Sequence, residues 1–208
     1  MSLRPWTDHV VPRLADASLR SDAIGRLREV ACAGLHGEVL ELGFGSGLNL
    51  RWLPDDVTGV GAVEPSDVAW RLSGPRREGS PVPVSRRGLD GQHVDLPDDS
   101  HDTALVTFSL CTIPDPRLAL EEVRRVLRPG GTLHVLEHGL SPDAEVARRQ
   151  RRLDRVQQLF AGGCHLTRDP AALLAAAGWT AEPLHRGYLP GPSLSRPWTW
   201  VSAYRASC

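Results

Sequence analysis

Residues 38–47 read Glu38-Val39-Leu40-Glu41-Leu42-Gly43-Phe44-Gly45-Ser46-Gly47, an apolar-rich run that ends in alternating glycines. The run predicts a short strand, and the glycines predict a turn that lets a ligand approach the backbone closely. Gly43 permits the tight turn and Gly45 the close approach. Gly47 is expected to open a helix over 48–53, stopped by Pro54, whose unpaired amides favour a negative group.

Outward from this turn, strand-like and helix-like stretches alternate. Strands are expected over 57–63, ended by Glu64-Pro65-Ser66, and over 81–87, 103–109 and 132–137. Helices are expected over 67–77, 116–127, 142–160 and 170–177. Asp115-Pro116 and Asp169-Pro170 are good start signals, and Pro129-Gly130-Gly131 is a stop signal. Strands over 179–187 and 198–203 finish the chain, with a proline-rich loop between them. Upstream, residues 1–36 predict two short helices. Asp8 opens the first, with Pro12 in its first turn, and Ser21 caps the second, where Ile24, Leu27 and Val30 recur at helical spacing. The alternation implies an α/β sandwich around a mainly parallel sheet. One domain is expected over 1–208, with a helical cap at 1–36 and a core at 37–208.

Composition narrows the chemistry. The chain has 208 residues, 41% of them hydrophobic and 24% charged, which is the balance of a soluble globular protein. Its net charge of −1 supplies no field to gather nucleic acid. All 24 basic residues are arginine, and the absence of lysine excludes a Schiff-base lysine or a P-loop. Cys32, Cys111, Cys164 and Cys208 form no CxxC pair, and no HExxH spacing occurs, so no metal site is expected. The first eleven residues hold no apolar stretch long enough for a signal peptide, and no membrane-spanning run follows. A cytoplasmic chain is expected.

Glu64 ends the second strand and suits the two hydroxyls of a ribose. Asp90-Gly91 follows the third strand, where a carboxylate suits an adenine amino group. Together with the glycine turn they predict a nucleoside site. A dinucleotide fits less well, because Leu48 stands where GxGxxG needs its last glycine. Glu41, just before Gly43, suits a cationic amino acid, and S-adenosylmethionine carries an ammonium and a sulfonium.

At this point the chain resembles the class I S-adenosylmethionine-dependent methyltransferases. The 39–47 stretch is similar to their first motif, and Glu64 and Asp90 match their ribose and adenine positions. Residues 96–102 and Glu121-Glu122-Val123-Arg124-Arg125-Val126-Leu127-Arg128-Pro129-Gly130-Gly131 resemble the approaches to their fourth and fifth strands. The resemblance implies a Rossmann-like, seven-stranded, mostly parallel sheet with an antiparallel last strand. It implies a cofactor-binding set of Glu41, Gly43, Phe44, Gly45, Gly47, Glu64, Pro65, Ser66, Asp90, Gly91, Thr107 and Ser109. Leu110-Cys111-Thr112-Ile113, Leu136-Glu137-His138 and Gly163-Cys164-His165-Leu166-Thr167-Arg168 are similar to a branch that includes thiol S-methyltransferases, which implies a small-molecule methyl acceptor, a thiol in the first instance.

His138, after the fifth strand, and His165, in the loop after the long helix, are the candidate catalytic groups, able to accept or steady a proton. Cys111 reads as a small buried hydrophobe. Arg148, Arg149, Arg151, Arg152 and Arg155 read as a solvated helix face opposite Val146, Leu153, Val156 and Phe160, with weak peripheral membrane contact as the sharper reading. Trp179, Trp198 and Trp200 are expected to pack on the sheet. A phospholipid head group or a quinone-type carbon is the alternative acceptor. A nucleotide-binding protein without catalysis is the alternative from another class. An NAD-dependent oxidoreductase lacks its Tyr-xxx-Lys pair here.

Overall fold

The computed structural model describes residues 5–207. Strand β1 (Gly37–Leu42) is apolar on both faces, and Val39, Leu40 and Leu42 are wholly buried. Such a strand belongs in the middle of a parallel sheet covered on both sides. It pairs in parallel with β2 (Val57–Val63) on one edge and β4 (His101–Thr107) on the other. Beyond them lie β3 (Val84–Gly88), β5 (Leu127–His138), β6 (Thr180–Tyr188) and β7 (Trp200–Ser207), in the order β3-β2-β1-β4-β5-β7-β6. β7 runs antiparallel to both of its neighbours. The seven-stranded sheet is therefore the expected one, with its single reversed strand.

Its order reverses between β1 and β4. Ligands of open α/β sheets bind at such a switch, outside the carboxyl ends of the strands. The register brings those ends level: Leu42 is paired with Val63 on one side and Val106 on the other. Gly43, Glu64 and Thr107 consequently emerge side by side.

Two layers of helix cover the sheet. In α5 (Pro116–Val126) the Asp115 carboxylate accepts from the Arg117 and Leu118 amides at 3.0 and 3.2 Å, and Pro116 sits where no amide is needed. Leu120, Val123 and Val126 are buried against Leu40, Val106 and Leu133. Truncating Leu120 to alanine there costs about 2–5 kcal/mol. α7 (Pro170–Ala176) repeats the Asp-Pro start with Asp169. On the opposite face α2 (Asp22–Cys32), capped by Ser21, lays Leu27 and Ala31 on Leu136 and Val201. It is preceded by a π-helical turn (Trp6–Val10) and α1 (Val11–Ser18).

Several expectations are corrected. No α-helix follows the glycine turn: Leu50–Trp52 is a single 3-10 turn. Asn49 turns its side chain back under the strands, and Pro54 comes too soon for helical turns to propagate. Gly47 thus opens no helix, and the anion-attracting terminus expected there is absent. The helix over 67–77 is two pieces, α3 (Asp67–Leu72) and α4 (Gly74–Glu78), separated at Ser73 ahead of Pro75. Pro81 and Pro83 shorten β3, since neither donates to a ladder. Trp198 lies on α8 (Arg196–Thr199) and is 43% exposed rather than packed on the sheet. The apolar stripe of α6 (Ala144–Phe160) divides: Val146 is buried, whereas Val156, Leu159 and Phe160 are exposed. Cys208 and residues 1–4 lie outside the described residues.

Candidate functional site

Two cavities open along the carboxyl ends of the strands. The first, of about 570 Å³, is bounded by the Gly43–Ser46 turn, Glu64, Asp90 and Thr107. The second, of about 1230 Å³, is bounded by Cys111, His138, Cys164, Phe160 and Trp198. Phe108 and Thr112 are among the residues that line both and belong to the wall they share. Phe108 holds a left-handed φ of +53°, a strained conformation for a bulky residue, of the kind that concentrates at functional sites.

In the smaller cavity Gly43, with φ +71°, presses its Cα against the Ser109 side chain, so no larger residue fits. The Ser109 hydroxyl reaches Gly43 O at 3.4 Å as well as Thr107 O at 3.0 Å, and so ties the turn to the end of β4. Gly45 lines the cavity, and a Cβ there would meet only Gly43 O at 3.9 Å. That side of the turn is open. Glu64 is 5% exposed; its Oε2 accepts from Gly45 N at 2.6 Å and its Oε1 from Ser66 N at 2.7 Å. Burial pushes the Glu64 pKa up, and the two amides and Arg86 pull it back. Pro65, Ser66, Asp90 and Gly91 also line the cavity. Asp90 is exposed, held by the Gln92 amide at 2.9 Å.

Two members of the expected set, Glu41 and Gly47, do not line the cavity. Phe44 does line it, although only 3% exposed, its ring tilted at 53° against Trp70 with centroids 5.5 Å apart. Glu41 is wholly buried and does not line the cavity. Its Oε1 accepts from Asn49 Nδ2 at 2.7 Å, and its Oε2 has no partner. Burial pushes its pKa up to about 8.

Between Glu41 and the cavity lies a group that sequence reasoning missed. The buried Arg28 guanidinium, delivered by α2, donates to Asn49 Oδ1 at 2.5 Å and Thr107 Oγ1 at 3.1 Å, and its Nε is unpartnered. Arg28 lines the cavity. The signal in the sequence was faint: one arginine on a helix whose other inward positions are apolar.

In the larger cavity His138 Nε2 lies 3.1 Å from Cys164 Sγ. Burial works against a charged His138 ring, but the Cys164 sulfur together with the Glu137 and Asp154 carboxyls outweighs it and holds the pKa above the usual value. Cys111 joins them: its sulfur, Cys164 Sγ and a His138 ring nitrogen all lie within 4.8 Å of one another. Cys111 is thus part of a polar cluster as well as buried. No short-range spacing announced this, since the three residues lie after β4, on the end of β5 and after α6. His165 is turned elsewhere, its Nδ1 3.5 Å from Asp154 Oδ2. Its amide donates to Cys111 O at 2.9 Å and docks the loop that carries Cys164.

Residues 40–135 match a protein family described as a methyltransferase domain. The match runs from β1 into β5 and covers just under half of the chain. The chain is 31% identical over 156 residues to thiol S-methyltransferase TMT1B of Rattus norvegicus, covering 73% of this chain and 64% of that one. It is 29% identical over 122 residues to phosphatidylethanolamine N-methyltransferase of Cereibacter sphaeroides, covering 58% and 60%. The chain therefore spans less than two thirds of the length of either relative. An S-adenosylmethionine-dependent methyltransferase structure from Thermotoga maritima superposes with a TM-score of 0.64 at 22% identity, over 97% of this chain and 99% of that one. That likeness confirms the class I methyltransferase fold.

The methyltransferase domain implies S-adenosylmethionine as its cofactor, and the residues fit. A volume of about 570 Å³ lies within the range of small-molecule pockets. The cavity offers an open glycine turn, a buried carboxylate at its rim and an arginine with one unpartnered nitrogen.

Proposed function

We propose that this chain transfers a methyl group from S-adenosylmethionine to the sulfur of a small-molecule thiol. The observation that carries this reading is the shared wall at Phe108 and Thr112. It sets the cavity of the glycine turn beside a second one whose lining includes two thiols and an imidazole. The relatives named for thiol methylation support the choice of acceptor.

When bound, S-adenosylmethionine supplies an electrophilic methyl on a sulfonium. In this reading Glu64 accepts from the ribose hydroxyls and Asp90 from the adenine amino group. Gly43, Gly45 and the main chain of Phe44 leave room for the sulfur arm. Arg28, steadied by Asn49 and Thr107, meets the methionine carboxylate. Glu41 lies beneath them and holds Asn49, which in turn steadies Arg28. Thr107 and Ser109 hold the wall rather than the ligand. His138 touches the acceptor, and His165 holds the loop around it. Positioning of this kind converts an encounter in water into a near-attack arrangement.

Among the described residues no helix is long and apolar enough to cross a membrane. The mouth of the acceptor cavity carries Phe160, 55% exposed, and Trp198, with Leu159 nearby. Beside the arginines of α6, these residues suit an apolar acceptor and weak contact with a lipid surface from the cytoplasmic side.

The test is one assay with labelled methyl donor and three acceptors: a small alkyl thiol, phosphatidylethanolamine and a phenol. Label in the thiol at a rate well above the other two is the expected result. Label in the lipid or phenol alone overturns the assignment of acceptor.

A further inference from the structure

We propose that Cys111, His138 and Cys164 form a site for a thiophilic divalent cation of the zinc type, with its fourth position open to the acceptor cavity. The donor set is two sulfurs and one imidazole nitrogen, all mutually within 4.8 Å. Tetrahedral zinc, with bonds of about 2.3 Å to sulfur and about 2.0 Å to nitrogen, holds its donors roughly 3.5–3.8 Å apart. The contact of 3.1 Å between His138 Nε2 and Cys164 Sγ is therefore a small shift from a ligating arrangement. Soft and borderline ligands of this kind select zinc or copper(I) over calcium or magnesium.

The surroundings hold the three groups in place. Glu137 Oε1 accepts from the Ser109 and Leu110 amides at 2.6 and 2.8 Å and fixes the turn that carries Cys111. The His165 amide joins Cys111 O at 2.9 Å, which sets Cys164 beside it. Arg168 Nη1 donates to Ile113 O at 2.7 Å and clamps the same turn from the other side. Thiols are weak hydrogen-bond partners, so His138 Nε2 has a poor one in Cys164 unless a cation lies between them. Two further side chains touch the sulfurs: Thr112 Oγ1, 3.4 Å from Cys111 Sγ, and Gln157 Nε2, 3.6 Å from Cys164 Sγ. Neither is a competent fourth ligand. Three protein ligands with an open position facing a cavity is the pattern of a catalytic rather than a structural zinc site.

Cation binding releases one proton from each cysteine to solvent and uses the neutral imidazole. A thiol entering the fourth position displaces water and gives its proton to solvent, so its sulfur stands as a thiolate beside Phe108 and Thr112. This use of the site rests on the thiol reading above; the binding of the cation does not.

The test is anaerobic cobalt(II) titration of the full chain after chelator treatment. One equivalent is expected to bind, with tetrahedral visible bands and a sulfur-to-cobalt charge-transfer band, and zinc is expected to displace it. Cys111→Ser and Cys164→Ser should each weaken binding more than about 100-fold, beyond what loss of a supporting partner costs. Cys32→Ser, buried elsewhere, should leave the bands intact. Absence of the bands in folded protein, or their persistence in both variants with circular dichroism unchanged, overturns the site. Thiol methylation undiminished in chelator-treated protein overturns its catalytic use and leaves the thiol reading standing. Cobalt binding with no thiol methylated supports the cation site and overturns the thiol reading.

Discussion

The Ser109 side chain fills the space in which a Cβ on Gly43 would have to stand. The two residues follow β1 and β4, and their contact holds the turn at the mouth of the smaller cavity. Gly43→Ala adds this overlap to a left-handed φ that costs an L-residue roughly 1–2 kcal/mol. A lower Tm and at least a tenfold weaker affinity for S-adenosylhomocysteine are expected. Adding Ser109→Gly should restore part of both. A double variant no better than Gly43→Ala alone would show that the contact is not what limits the turn.

Glu64→Gln keeps the size of the side chain and removes its charge. Hydrogen bonds to a charged group contribute about 1.5–3 kcal/mol each. Calorimetry with S-adenosylhomocysteine is expected to show a loss of about 10- to 100-fold. Unchanged affinity would remove Glu64 from the ribose.

Arg28→Leu separates the two ends of the cofactor. Affinity for S-adenosylhomocysteine should fall about tenfold or more, because its carboxylate loses a cationic partner. Affinity for adenosine, which has no carboxylate, should hardly change. Equal losses for both ligands would mean that Arg28 only supports the fold.

Glu41 makes stability depend on pH. Its ordinary pKa of 4.5 is pushed up to about 8 by burial, with the Asn49 hydrogen bond and the Arg28 charge pulling it back. The folded state thus favours the protonated form. That contribution is whole below pH 4.5, shrinks as pH rises and is gone above about pH 8. Glu41→Gln is neutral throughout and lacks this slope. Its Tm should gain on the wild type between pH 5 and 8.5, by about 2–4 °C for each kcal/mol. Parallel melting curves across that window would place the titration elsewhere.

Much of the architecture was legible because it rests on local signals. Asp115-Pro116 and Asp169-Pro170 start helices by capping amides within three residues, and those caps formed. β2 runs Val57–Val63, as its apolar run implied. The misreadings arose where a distant partner overrode a local preference. Asn49 was drawn under β1 by Glu41 and Thr107, so a stretch with helical composition became one 3-10 turn. Glu41, placed by its neighbourhood among the ligand contacts, was covered by Arg28 and Asn49 from outside that neighbourhood.

By itself the sequence determined the alternating α/β order, the glycine turn after β1 and the acids at the ends of β2 and β3, because strand period, caps and glycine freedom act over a few residues. Tertiary structure alone decided that Arg28 enters the smaller cavity, that His165 turns to Asp154, and that Cys111, His138 and Cys164 meet at the larger cavity. Those meetings depend on which strand ends the sheet order sets side by side, and no spacing along the chain encodes a distance across a fold.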